Sequence, residues 1–262
     1  MNIKSNIRSI VAAAWMAFTI PALGSDPLSP NDLFVAHWNS GLSADYSAGS
    51  PTPTASQASI STVSPKFGLG GLSLTNSGDY LSYNSAGNFN PTNGTVELWI
   101  KPSVDNYLTA AAHGIFRTSP DGANQWNLRV AGGGLQFVLQ ESGTPYFAAP
   151  ALSPWAKDTW HHVAVTWGSG GIQLYADGVN VASNPFTGFS PAGADLQLGT
   201  IFGNQASATF DELLISADQR SATQILADFN RDHEFAPEPG VSMLFGLGAV
   251  VLARLRRHSK DA

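Results

Sequence analysis

Cysteine is absent from the 262 residues, so neither a disulfide nor a thiolate metal site can staple the fold, and stability must come from an apolar core. Charge is scarce too, at 12% of the chain, which does not suit long, solvated surface helices. Basic residues are nearly missing from the middle. Residues 25–239 hold 7 basic against 18 acidic side chains, a balance of −11 that would be repelled by nucleic-acid phosphates and anionic lipid heads. This argues against a nucleic-acid partner. No Gly-x-Ser-x-Gly nucleophile elbow occurs, and Gly132-Gly133-Gly134 is followed by neither a helix pattern nor a lysine, so it reads as a turn and not as a phosphate loop.

What the chain has instead is glycine (26) and proline (16), the punctuation of many short strands. Strand patterns open at Leu33–Trp38 and recur from Leu69 onward, after a Ser-, Ala-, Pro- and Thr-rich connection over 39–66. In Thr95–Lys101, Val96, Leu98 and Ile100 alternate with Thr95, Glu97 and Trp99, which predicts a strand with two distinct faces. Further strands are read at Gly114–Arg117, Gln125–Val130, Leu135–Leu139 and Pro145–Ala148. A hairpin follows from Trp160–Trp167 into Ile172–Ala176, with Asp177-Gly178 as the next tight turn. Leu196–Gly199 and Thr209–Ile215 complete the set. One helix is predicted behind Ser221, with Gln224 closing a capping box and Ile225, Leu226 and Phe229 as its apolar stripe.

The two ends are built differently. Lys4 and Arg8, the apolar stretch Ile10–Ile20 and the small residues Ala22 and Gly24 have the order of a cleavable signal peptide over residues 1–24. At the other end Pro237-Glu238-Pro239 precedes an apolar run over 241–253 and then Arg254, Arg256 and Arg257. Those arginines should stay cytoplasmic, leaving the body outside. In these residues the tail resembles the PEP-CTERM sorting signal of Gram-negative bacteria. The resemblance implies a transient inner-membrane anchor, recognition by an exosortase and the secretion machinery, and release to the cell surface or the extracellular matrix. An ordinary C-terminal anchor would explain the apolar run and the arginines but not the Pro-Glu-Pro.

About a dozen short strands describe an antiparallel sandwich or jelly roll. Three segments are also similar to LamG-like modules: Thr95–Pro102, Trp160–Trp167 with Leu174–Gly178, and Phe210–Leu213 before a short helix. The resemblance implies the concanavalin A-like lectin/glucanase fold: an all-β, antiparallel two-sheet jelly roll over 33–232 with one short helix near its end. A linker at 25–32 would precede it and the sorting segment at 233–262 would follow. The glucanases of this fold carry Glu-x-Asp-x-x-Glu on one strand, and no such string exists here. No catalytic residue is assigned.

His161 and His162, neighbours on one strand, should project oppositely and play structural roles. Some LamG-like modules hold calcium at the sandwich rim, which makes Asp177 and Asp211 the candidate metal ligands; for each, a bond to nearby backbone or a buried partner is the competing reading. Asp211 is placed on the face of Leu213 and Ile215, opposite Glu212. Trp126, Tyr146, Trp155 and Phe189, near predicted loops or strand ends, are candidates for stacking on a sugar, against core packing as the default for any aromatic. The expected role is a secreted or surface-sorted, non-catalytic module binding carbohydrate or another matrix polymer. A passive structural matrix protein and a glycan-cleaving enzyme are the alternatives.

Overall fold

The strand read at Thr95–Lys101 runs from Gly94 to Pro102, and all of its residues are buried. Val96, Leu98 and Ile100 enter the main core, as the alternation requires. His161–Trp167 pairs along one edge, with Val163 opposite Leu98 and Val165 opposite Val96; Ala208–Ser216 pairs along the other. The molecule is a computed structural model describing residues 26–201 and 203–236.

Around this hub a nine-stranded sheet runs in the order Val179–Asn184, Ile172–Ala176, His161–Trp167, Gly94–Pro102, Ala208–Ser216, Asp32–Ala36 and Tyr46–Ser47, with Ser59–Ser61 and Gly71–Leu74 joining at Ala208–Ser216. Facing it is a seven-stranded sheet: Thr144–Ala148, Gly134–Glu141, Gln125–Ala131, His113–Thr118, Asp195–Leu198, Leu81–Asn84 and Pro53–Ser56. All ladders in the two sheets are antiparallel, and the inward residues of both fill one core. Asp26–Pro27 pairs in parallel with Phe235–Ala236, which ties the two ends of the described chain together. The Asp177-Gly178 turn has φ of 49° and 76°, the positive pair that a tight hairpin needs.

Aromatic rings dominate the centre. Phe89 stacks on Trp167 at 5.2 Å, Trp126 lies 4.8 Å from Trp167, and Trp38 donates its indole N–H to Tyr83 Oη at 3.0 Å. Each such ring buries about 150–250 Å², worth roughly 4–6 kcal/mol at about 25 cal/mol/Å², which is how the domain dispenses with disulfides.

The outward face of the nine-stranded sheet is closed by the helix Ala222–Phe229. Its capping box forms between Ser221 and Gln224 as predicted. The apolar stripe is narrower than predicted: Ile225 is buried with Ala164 and Tyr175, and Phe229 stacks on Trp99 at 5.6 Å, but Leu226 faces solvent. Under the helix Arg220 reaches Asp32, Glu97 and Asp228 at 2.6–2.8 Å, and Arg231 reaches Glu212 at 3.3 Å.

One placement is corrected. Glu212 has φ of 53° and sits at a β-bulge, where the register against Gly94–Pro102 jumps between Asp211 and Leu214. The extra residue breaks the simple alternation. Phe210, Leu213 and Ile215 therefore enter the main core, while Asp211 and Glu212 are both buried outside it.

Among the described residues, no helix is long and apolar enough to cross a membrane. Residues 1–24 and the sorting residues Pro237, Glu238, Pro239, Arg254, Arg256 and Arg257 lie outside the described residues.

Candidate ligand face

With the helix over part of one sheet, the outward face of the seven-stranded sheet is a broad polar surface that no helix covers among the described residues. Trp126, Leu128 and Val130 of one strand and Leu135, Phe137 and Leu139 of the next point into the core. Gln125, Asn127 and Arg129, with Gln136, Val138 and Gln140, therefore face out. The registers align a transverse row across the sheet: Phe147 opposite Val138, Val138 opposite Asn127, Asn127 opposite Arg117, Arg117 opposite Gln197, and Gln197 opposite Ser82. Five strand spacings of about 4.8 Å make this row roughly 24 Å long.

The row changes character along its length. At one end Phe147 is 45% exposed, beside Pro145 and Val138. In the middle, long polar side chains hold one another: Gln125 Nε2 donates to Gln140 Oε1 at 2.6 Å, Asn127 donates to Gln125 Oε1, and Arg129 Nε donates to Gln136 Oε1 at 3.3 Å. Asn127 is only 1% exposed, and its carbonyl oxygen Oδ1 accepts no hydrogen bond. At the other end Arg117, Ser119, Asp195 and Gln197 line a cleft of about 240 Å³ with Pro120 and Ala194.

The aromatics expected to form a sugar platform fare differently. Trp126 is fully buried in the core, with its indole N–H on Ser190 O at 2.9 Å, and Trp155 is buried between Tyr107 and His161. Tyr146 points inward, opposite Leu139, and stacks on Phe186 at 3.5 Å. Trp126 and Trp155 are thus corrected to packing residues, and Tyr146, partly buried, gives its ring to Phe186 and the core. Phe189 is 48% exposed, in the loop before Asp195–Leu198.

The candidate metal ligands already have partners. Asp177 pairs with His161 Nδ1 at 2.9 Å and accepts from the His162 amide at 2.9 Å. Burial works against its ionisation, but these bonds prevail and hold its carboxyl below the usual value. Asp211 accepts from the amides of Lys66, Phe67 and Glu212, while burial and the charge of Glu212 push its carboxyl up to about 8. Among the described residues, no group of three or more His, Asp or Glu side chains is gathered as a metal site.

Sequence reasoning missed Arg117, Asn127, Arg129, Phe147 and Gln197. The signal was present in Gln125–Ala131 and Gly134–Glu141, where polar residues alternate with the core set. Tyr146 and Phe147 differ by one residue, which on a strand selects the opposite face.

Comparisons with known proteins place this geometry. Domain 4 of AbnA, a GH43 extracellular arabinanase from Geobacillus stearothermophilus solved with arabinotriose, superposes with a TM-score of 0.62 at 18% identity, covering 77% of this chain and 98% of that one. The ligand binding domain of botulinum neurotoxin serotype D, solved with N-acetylneuraminic acid, superposes with a TM-score of 0.61 at 17% identity, covering 76% of this chain and 50% of that one. The chain thus spans about half the length of that toxin fragment. Likenesses at such identity establish the fold alone. No curated protein sequence matches. Residues 75–226 match the Laminin G 3 family, and the chain therefore belongs to the Concanavalin A-like lectin/glucanases superfamily.

Proposed function

We propose that this chain is an exported, non-catalytic module that holds a polysaccharide along the outward face of the seven-stranded sheet. One observation carries the reading: a row from Phe147 to Ser82 sets an exposed ring at one end and the half-exposed Arg117 and Gln197 toward the other, with Val138, Asn127 and Ser82 packed down among them. A sugar presents the same two characters, C–H faces that pack on rings and hydroxyls that exchange hydrogen bonds with planar polar groups. The saccharides bound by the arabinanase domain and the toxin domain support this ligand class.

The absence of catalysis is argued from the acids. Glycosidic cleavage needs two carboxyl groups facing the sugar. Glu97 and Glu212 are each 1% exposed and engaged by Arg220 and by His37 with Arg231, beneath the helix. Within the strands of the open face, Asp195 is the one outward acid among the described residues. Export follows from the Pro-Glu-Pro, apolar run and arginine order, which supports exosortase-type processing and deposition at the surface or in the matrix.

Affinity electrophoresis of the purified full-length chain in gels cast with a panel of polysaccharides tests the proposal. Retardation that Phe147→Ala weakens, without release of reducing ends or unsaturated products, is the expected result. Products abolished by Glu97→Gln or Glu212→Gln would make it an enzyme. No retardation across the panel would leave a passive matrix protein.

A further inference from the structure

The described domain is strongly acidic, and most of its few cations are occupied. Arg220 and Arg231 serve the acids beneath the helix. Lys101 Nζ is held by the carbonyls of Val63 and Ser64, at 2.7 and 2.8 Å, and Lys66 lies 3.6 Å over the Trp99 ring. Lys157 is a loop residue. Arg117 and Arg129 come from two different strand patterns of the sequence, and the fold sets both on the outward face of the seven-stranded sheet, on adjacent strands. Asn127 is opposite Arg117, and Arg129 is two residues on from Asn127. A β-bulge intervenes between Leu128 and Arg129, so Arg129 pairs with Gly114 and the two arginines share the face on adjacent strands without standing on a regular diagonal.

Arg129 has the environment of a group awaiting a counter-ion. It is half-buried, its Nε bonds only the neutral Gln136, and no carboxylate lies within ion-pair distance among the described residues. Burial lowers its pKa and no neighbouring charge opposes the effect. Partly desolvating a cation without a partner is unfavourable, and an anionic ligand would relieve that cost. Between the arginines lies Asn127 Oδ1, buried and without a hydrogen bond, an acceptor for an adjacent hydroxyl. The outward acid Asp195 lines the cleft on the Arg117 side of the row, away from Arg129, and accepts from Thr54 Oγ1 at 3.3 Å.

We infer that this face selects an acidic polysaccharide of the uronic-acid type, with the sugar carboxylate held by the Arg129 guanidinium beside Arg117 and a neighbouring hydroxyl donated to Asn127 Oδ1. The inference rests on the polysaccharide-binding reading above. A guanidinium fork fits a planar carboxylate through two parallel hydrogen bonds, which a lysine cannot reproduce. The net negative body repels polyanions at long range, so retention of one would report this contact and not general charge attraction.

The test measures affinity of the full-length chain for polygalacturonate, for the same polymer with its carboxyls methyl-esterified, and for dextran sulfate. Polygalacturonate should bind at least about tenfold more tightly than its ester, since a charge-assisted hydrogen bond contributes about 1.5–3 kcal/mol. Arg129→Gln should erase that difference, Arg129→Lys should restore only part of it, and Lys157→Gln should leave it intact, all with unchanged melting temperature. Equal binding of polygalacturonate and its ester would overturn the inference while polysaccharide binding stands. Equal or tighter binding of dextran sulfate would also overturn it, by showing attraction blind to the carboxylate. Binding to none of the three, together with none in the wider panel, would overturn both readings.

Discussion

Neighbouring residues on one strand can carry opposite duties, and Tyr146 and Phe147 make the contrast measurable. Tyr146→Ala removes a ring stacked against Phe186 and the core, and should destabilise the domain by about 2–4 kcal/mol while folded protein still binds its ligand. Phe147→Ala removes an exposed ring and should change the unfolding midpoint little while weakening retention. Denaturant titration and affinity electrophoresis on the two variants separate the effects, and the reverse pattern would mean that the faces of this strand are misassigned. Val165 marks the buried extreme. It is fully enclosed between the sheets, so Val165→Asp places a carboxylate where no partner waits, costing several kcal/mol, and a variant that melts with the wild type would contradict the packing.

At the scale of elements, the helix Ala222–Phe229 is held less by its own apolar stripe than by the charges it covers. Only Ile225 of its residues is fully buried, whereas Arg220, at its entrance, bridges Asp32, Glu97 and Asp228. Such a cluster adds little net stability over an apolar core, but removing one partner strands the others. Arg220→Met should therefore cost about 3–5 kcal/mol by leaving buried acids unpaired. Ser221→Ala, which breaks only the cap, should cost about 1 kcal/mol. Urea titration of both variants checks the ranking, and equal losses would show that the ion cluster contributes nothing beyond the cap. The bulge at Glu212 belongs to the same device. By breaking the alternation it turns Glu212 toward His37 and Arg231, at 2.8 and 3.3 Å.

Across the whole molecule, these buried charges give stability a pH profile. Burial with the Glu212 charge raises Asp211 to about 8, and burial with the Glu97 charge raises Asp228 to about 7. For His37, burial pulls downward but the hydrogen bond and charge of Glu212 prevail, leaving it raised as well. A group with a raised folded pKa holds its proton longer in the native state, so its contribution is complete below the unfolded value and is lost as pH rises through the folded one. Lowered groups such as Glu97 and Asp177 act oppositely and lose their contribution in acid, and His113, lowered by burial, partly offsets the others near neutrality. Unfolding free energy should thus peak near pH ~4–5, where the lowered carboxylates have already ionised, and decline toward pH ~8. Denaturant titrations across that range check it, and a profile rising to pH ~8 would contradict the burial assigned to Asp211 and Asp228. Processing is tested on the same scale. Mature protein should lack residues 1–24 and the tail from about Val241, and Arg254, Arg256 and Arg257 changed together to Ser should leave a retained precursor; intact mass of secreted material still carrying the tail would refute it.

Several features were legible in one dimension because they are local. Alternation marked Thr95–Lys101 and Trp160–Trp167 as strands with a buried set, the Asp177-Gly178 pair predicted a positive-φ turn, and Ser221 with Gln224 predicted a cap. Each depends on residues within a few positions of one another, where backbone sterics and side-chain period decide. The proposed ligand face was not legible, because it is assembled from ladder partners distant in the chain: Phe147, Asn127, Arg117, Gln197 and Ser82 meet only through register. Nor could the sequence alone say which outward face stays open. That choice was made when the helix Ala222–Phe229 closed over Glu97 and Trp99 and left Arg117 and Arg129 uncovered, for an outward polar residue reads the same in sequence whether water or a helix lies above it.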